Sequence, residues 1–371
     1  MSTETNPPRR RKFLQAATGA AVGTAALAAP SVSTAQTVSF RFQSTWPAKD
    51  IFHEYAQDFA KKINDMAGSR LKIEVLPSGS VVPAFQLLDA VAKGTLDGGH
   101  GVVAYHYGKN SALALWGSGP GFGMDPNMLL SWHYYGGGEA LLQEIYKATN
   151  IDVVSFLYGP MPTQPFGWFK KPVARLEDLK GVKFRTVGLA VDMYTDMGAA
   201  VNPLPGGEIV AALDRGLIDA AEFNNASSDR LLGFPDVAKN CMLQSFHQST
   251  EQFEILFNRA KYAALPSDLK KTIDYAVEAA SADMSWKAVD RNSKDYAELK
   301  KSGVNFFKTP DAILRAQLAA WDRIMEKKSG ENVLFKKVLE SQKAFAQRAG
   351  AWQNDYLIDF KMAYNHYFGK R

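Results

Sequence analysis

Arg185 closes the apolar run Val182-Lys183-Phe184-Arg185 and is followed by Thr186-Val187-Gly188, where a strand would open at a cleft. A guanidinium fixed at a strand exit can grip a carboxylate through two parallel hydrogen bonds, and ligands of α/β sheets gather beyond the carboxyl ends of strands. A surface salt bridge would use the same residue. Downstream, Ile218-Asp219-Ala220-Ala221 runs into Glu222-Phe223-Asn224-Asn225. One carboxylate and two amides at a strand exit form a set of hard oxygen ligands for a cation. A turn whose Asn side chains bond the backbone is the competing reading. Gln164 and Gln248 could add carbonyl oxygens, and Trp46 and Tyr105 are the aromatics expected to face a ligand.

Other chemistry finds less support. The six histidines are scattered, and His100, His106 and His133 lack the i, i+4 pairing of a helical zinc motif. Cys-x-x-Cys, phosphate-loop and nucleophile-elbow patterns are missing from the sequence, and Gly136-Gly137-Gly138-Glu139 reads as a kink rather than a nucleotide fingerprint. The single cysteine, Cys241, can form no intramolecular disulfide and reads as a small buried hydrophobe.

The elements that must position these residues alternate between strand and helix. Val38–Phe42 and Leu71–Val75 alternate as strands around a helical repeat at Ile51, Tyr55, Phe59 and Ile63. A short helix over 83–93, a return strand at 96–100 and a helix over 127–148 interrupted by the triple glycine follow. A second α/β unit is expected from Val153, with strands at 166–169, 182–185, 217–221 and near 255, and helices at about 190–198 and 207–215. From Pro266 to Gly303 a helix of about 55 Å is predicted, long enough to brace two domains. Helices over about 310–328 and 331–363 close the chain, the last with an aromatic face from Phe345 through Trp352 to Phe360. That face could pack on its own domains or against a second copy.

The first 35 residues carry an address. Arg10-Arg11-Lys12-Phe13-Leu14-Gln15 has the twin-arginine form, a mild apolar run spans Ala16 to Ala29, and Ser33-Thr34-Ala35 offers a cleavage site. The apolar run is shorter than a membrane span. Removing residues 1–35 takes four of the 43 basic and one of the 38 acidic side chains, leaving 39 and 37, a formal charge of +2. The basic balance of the whole chain is therefore no sign of a nucleic-acid partner. With 46% apolar residues, the mature chain can fill the cores of two domains.

Leu176-Glu177-Asp178-Leu179-Lys180-Gly181-Val182-Lys183-Phe184-Arg185 and the stretch Asn202-Pro203-Leu204-Pro205-Gly206-Gly207-Glu208 through Ala220-Ala221-Glu222 resemble the periplasmic solute-binding subunits of TRAP transporters, a resemblance that covers essentially the whole mature chain. Trp132-His133-Tyr134-Tyr135-Gly136-Gly137-Gly138 and Glu222-Phe223-Asn224-Asn225 are similar to the branch that captures 2-oxo or 2-hydroxy monocarboxylates with a metal ion. The resemblance implies an α/β, two-lobed periplasmic binding protein: each lobe a sheet flanked by helices, a long helix bracing both, and a helical C-terminus. Residues 36–158 and about 250–285 would form one lobe, 159–249 the other, with 286–371 as bracing and C-terminal helices. It implies Arg185 as the carboxylate ligand, with Gln164, Tyr105, Asn224 and Trp46 around the substrate. Gln164, Glu222, the main-chain carbonyl of Phe223, and Gln248 would hold Ca2+ or Na+. Gln248 stands where some relatives have an acidic ligand. The partners implied are a small organic acid and the membrane permease subunits, and some relatives dimerise through the last helix. A larger or aromatic acid, or an exported metalloenzyme acting on such acids, are the alternatives.

Overall fold

The computed structural model describes residues 37–369, so the twin-arginine segment lies outside the described residues. The first strands form by plain alternation. β1 (Val38–Ser44) sends Phe40 and Phe42 into the core and runs parallel to β2 (Leu71–Leu76), Phe42 lying opposite Val75. Between them the helix Ile51–Ala67 buries Phe52, Tyr55, Phe59 and Ile63 on one stripe. The Asp50 carboxylate caps its first turn by accepting from the Phe52 N–H, and Gly68 ends it. Burying each of the larger side chains contributes ~2 kcal/mol.

β3 (Gly98–Gly101) is parallel to β1, and two further strands complete a five-stranded sheet in the order β2-β1-β3-β10-β4, with β4 spanning Val153–Pro160 and β10 spanning Gln252–Asn258. β10 is antiparallel to both of its neighbours. The strand starting at Val153 therefore does not open the second α/β unit; its neighbour in space is β10, about a hundred residues away in sequence. The second sheet has the order β11-β9-β5-β8-β6-β7. Its strands are β5 (Gly167–Phe169), β6 (Lys183–Arg185), β7 (Ala200–Val201), β8 (Ala220–Ala221), β9 (Asn240–Leu243) and β11 (Asn305–Lys308). The two-lobed α/β architecture is thus present, with both sheets mixed rather than parallel throughout.

The chain crosses between the sheets at 161–166, at 244–251 and through the helix Ser267–Lys301. That 35-residue helix braces both sides. Its Asp283 and Arg291 pair with Lys62 and Glu54 of the helix Ile51–Ala67, whereas Asn292 and Asp295 bond Ser227 and Arg230 beside the second sheet. The triple glycine divides 127–148 into the helices Pro126–Tyr135 and Gly138–Ala148, with Gly137 at φ +91° in the turn. The C-terminal region holds the helices Asp311–Glu331, Val333–Tyr356 and Phe360–Phe368. The expected continuous helix to 363 is broken because the Asp359 side chain accepts from the amides of Lys361 and Met362 and starts a new one. Phe335, Val338 and Ala346 pack inward, while Trp352, Tyr356, Phe360 and Tyr364 are exposed. No helix among the described residues is long and apolar enough to cross a membrane.

Candidate functional site

Two parallel strands of the second sheet deliver the first pair of groups. Arg185 ends β6 directly beside Ala221 of β8, so Arg185 and Glu222 leave the sheet at the same edge. The guanidinium is buried and held by three bonds: Nε donates to Leu204 O at 2.8 Å, and Nη1 donates to Glu222 O at 3.1 Å and Oε1 at 2.8 Å. It is a buried ion pair, not the surface salt bridge that the sequence also allowed. The Phe223 ring lies 5.8 Å from the guanidinium carbon and stacks on Phe234.

The second set comes from the two crossing segments. Gln164 lies on the first and Gln248 on the second, three residues before Glu251. Glu251 Oε2 accepts from Gln164 Nε2 at 2.7 Å, and its Oε1 accepts from Gln248 Nε2 at 3.1 Å. The buried His247 Nε2 lies 3.3 Å from Gln164 Oε1 and 3.8 Å from Glu222 Oε2, tying the crossing segments to the sheet edge. Burial, reinforced by the nearby Glu222 charge, pushes the Glu251 carboxyl up to about 8.

The first sheet supplies the aromatic wall. Trp46 Nε1 donates to His100 Nδ1 at 2.8 Å, and His100 Nε2 meets the Tyr158 hydroxyl at 2.6 Å. Burial holds His100 down at about 3, so the ring is neutral and its Nδ1 is free to accept. The Tyr105 ring leans against Trp46 at 5.8 Å, and burial pushes its phenol up to about 12.

All eight residues expected at the site line one small cavity: Trp46, Tyr105, Gln164, Arg185, Glu222, Phe223, Asn224 and Gln248. Asn224 is the least available of them. Its Nδ2 contacts Met161 Sδ at 3.0 Å, and its Oδ1 accepts from Asn225 at 2.7 Å. Sequence reasoning missed Glu251, along with the apolar walls Phe52, Val102, Met161 and Val187. The polar run Gln248-Ser249-Thr250-Glu251 at the entry to an apolar strand was the available signal for Glu251.

Three buried polar atoms around this cavity have no hydrogen-bond partner among the described residues: Arg185 Nη2, Glu222 Oε2 and Gln248 Oε1. Each such atom costs ~1–3 kcal/mol unless something pairs with it. One is a cationic donor that suits a carboxylate. The other two are hard oxygens that suit a cation such as calcium or sodium. The donor set fits a metal ion bound together with an organic anion.

The comparisons agree with this chemistry. Residues 42–330 match the family described as bacterial extracellular solute-binding protein, family 7. The chain is 32% identical over 350 residues to a monocarboxylate 2-oxoacid-binding periplasmic protein of Nostoc sp., covering 93% of this chain and 95% of that protein. A TRAP periplasmic solute-binding protein of Colwellia psychrerythraea, solved with calcium and pyruvate, has a TM-score of 0.82 at 30% identity, covering 90% of this chain and all of that one. Another from Pseudoalteromonas atlantica, solved with sodium and pyruvate, has a TM-score of 0.82 at 28% identity, covering 90% of this chain and 99% of that one. With both lobes, the crossing segments and the site edge in place, the chain belongs to the bacterial extracellular solute-binding protein family 7, the solute receptors of TRAP transporters.

Proposed function

We propose that this receptor captures a small 2-oxo or 2-hydroxy monocarboxylate such as pyruvate or lactate, together with Ca2+ or Na+, and hands it to TRAP membrane subunits. The carrying observation is the coexistence, around one cavity, of an unpartnered guanidinium nitrogen and two unpartnered oxygens. Arg185 Nη2 takes the ligand carboxylate. Gln164, Glu222, the Phe223 carbonyl and Gln248 hold the cation. The cation supplies a positive centre that a carboxylate and its neighbouring 2-oxygen can chelate together. Trp46, Tyr105 and Asn224 bound the ligand. The pyruvate complexes of the two solved relatives and the 2-oxoacid name of the Nostoc relative support the ligand class.

Burial strengthens both contacts, because charges interact more strongly away from water. The interlobe bonds Ala190 N–H to Ser118 Oγ at 2.8 Å, Ser228 Oγ to Asp50 at 2.8 Å and Tyr107 Oη to Asp192 at 2.5 Å would have to open for ligand exchange. Hinge motion at 161–166 and 244–251, with 36–158 and 250–285 moving against 159–249, provides that opening. Export through the twin-arginine segment would place the receptor in the periplasm. The exposed aromatic end, Trp352 to Phe368, would meet a second copy, and a sedimentation run showing only monomer at micromolar concentration removes that part.

A thermal-shift screen of chelator-treated protein against pyruvate, lactate, longer 2-oxo acids and dicarboxylates, with and without each cation, tests the reading. A cation-dependent rise for one monocarboxylate is expected, because a ligand of the native state stabilises it. An equal rise without any cation sinks the metal site. Recovery of the acid unchanged after incubation separates a receptor from an enzyme. Arg185→Ala should weaken the ligand at least 100-fold by calorimetry, and a loss within threefold puts the site elsewhere.

A further inference from the structure

We infer that Glu251 sets the charge of the cation site and makes it prefer a divalent ion, calcium, over sodium. The inference rests on the cation-and-carboxylate reading above and assigns a residue and a preference within it.

Both Glu251 oxygens accept from amide nitrogens, one from Gln164 and one from Gln248. An amide whose nitrogen is held on one side must present its oxygen on the other. Glu251 thereby orients two proposed ligands at once, leaving Gln248 Oε1 without a partner and Gln164 Oε1 beside His247. The fold leaves room for this carboxylate. A Cβ at Gly117 would come within 3.1 Å of Glu251 Cγ and 3.2 Å of its Oε1, so a side chain there would shift the carboxylate by a few tenths of an ångström against the two amides. The close approach continues at Gly119, which bridges to Gln248 and donates its N–H to His247 O at 3.3 Å.

The charge count then decides between the cations. With a cation in the cavity, Arg185, Glu222 and Glu251 are the ionised side chains lining it, the cation drawing off the proton that burial otherwise holds on Glu251. With the His247 ring beside Glu222 neutral, one positive and two negative side chains with one monocarboxylate sum to a double negative charge. Burying uncompensated charge is costly, so the occupant that closes the count is divalent. Sodium would leave one negative charge buried. With Glu251 neutral the count falls by one, and sodium would suffice. Gln248 stands where a second carboxylate could equally have been built, so Glu251 supplies from three residues away a charge that position 248 does not.

The test is calorimetric titration of pyruvate into chelator-treated protein, with calcium or with sodium as the added cation, for the wild type, E251Q, E251D and the double variant E251Q/Q248E. The wild type should bind more tightly with calcium. E251Q gives up one of the two amide contacts and so weakens binding with either ion, but calcium-supported affinity should fall at least 10-fold more than sodium-supported affinity. E251D keeps the charge and should keep the calcium preference, and Q248E within E251Q should restore it. Equal losses for both ions in E251Q would make Glu251 merely a support for the two glutamines and overturn the inference, as would an unchanged ratio. Should E251Q fail to melt cooperatively, the decision passes to E251D and the double variant, where loss of the calcium preference in both overturns it. A wild type that binds pyruvate equally with no cation overturns the metal reading itself, a different result from any of these.

Discussion

Glu251 and Glu254 lie three residues apart, both buried, yet their surroundings are opposite. Glu254 on β10 is saturated. Tyr146 and Ser155 donate to one oxygen, the latter at 2.5 Å, and His106 Nε2 lies 2.9 Å from the other. Those donors come from the helix Gly138–Ala148, from β4 and from the segment after β3, so the carboxylate welds one lobe together. Glu251, at the crossing between lobes, has only two neutral amides and faces Glu222 across the cavity. A fully satisfied buried network rigidifies; a partly satisfied one costs free energy that a ligand can recover. The unpartnered atoms of this molecule are thus informative by where they cluster.

The largest expected effect comes from breaking the saturated side. Glu254→Ala leaves three buried donors without their acceptor and should cost about 3–5 kcal/mol in urea unfolding, with ligand affinity of the folded protein within threefold. Glu254→Ala that instead abolished binding without destabilising would dissolve the distinction. On the other side, Gln248→Met removes an unpartnered acceptor at similar volume. The same change takes the Nε2 donor away from Glu251 Oε1, so the two effects offset and ligand-free stability should stay within ~1 kcal/mol, while cation-supported affinity falls at least 30-fold by calorimetry.

Asp50 and Asp229 sharpen the comparison through pH. Burial pushes each up to about 7, and Asp50 Oδ2 has no partner among the described residues. An acid whose folded value is raised above its unfolded value stabilises the fold fully below the unfolded value, and that contribution is lost as pH climbs through the folded one. The urea midpoint of ligand-free protein should therefore drop between pH 5 and pH 8, by on the order of a few kcal/mol in stability. Asp50→Asn and Asp229→Asn should each flatten that slope, and a midpoint rising over this window would contradict the assignment. The smallest effect is expected for Gly117→Ala. Its methyl would displace Glu251 by a few tenths of an ångström, weakening calcium-supported binding several-fold with stability changed by less than ~1 kcal/mol, read by calorimetry and melting.

Local chemistry was legible from the residues themselves. Asp50 and Gly68 bracket a helix because a side-chain oxygen satisfies the first free amides and glycine ends the last turn. Asp359 does the same for the final helix, and reading it as a cap would have divided 331–363 correctly. Arg185 and Glu222 were visible as chemistry at strand exits, since charge after an apolar run needs a partner. Gln164 and Gln248 were weak signals until the family resemblance singled them out, because a glutamine alone says little.

What only the tertiary structure decided is who meets whom. β4 pairs with β10 in the first sheet, and β11 pairs with β9 in the second, across separations that no periodicity within a segment encodes. Glu251 reads in the sequence as one more acid before a strand, and Glu254 as another. The chain's crossings put the first between two glutamines at the cavity and the second among three donors inside a lobe. Hydrophobic pattern fixes which face of an element is buried, because that depends on neighbours one or two turns away. Whether a buried charge is satisfied depends on groups about a hundred residues distant, and only packing the lobes brings them within reach.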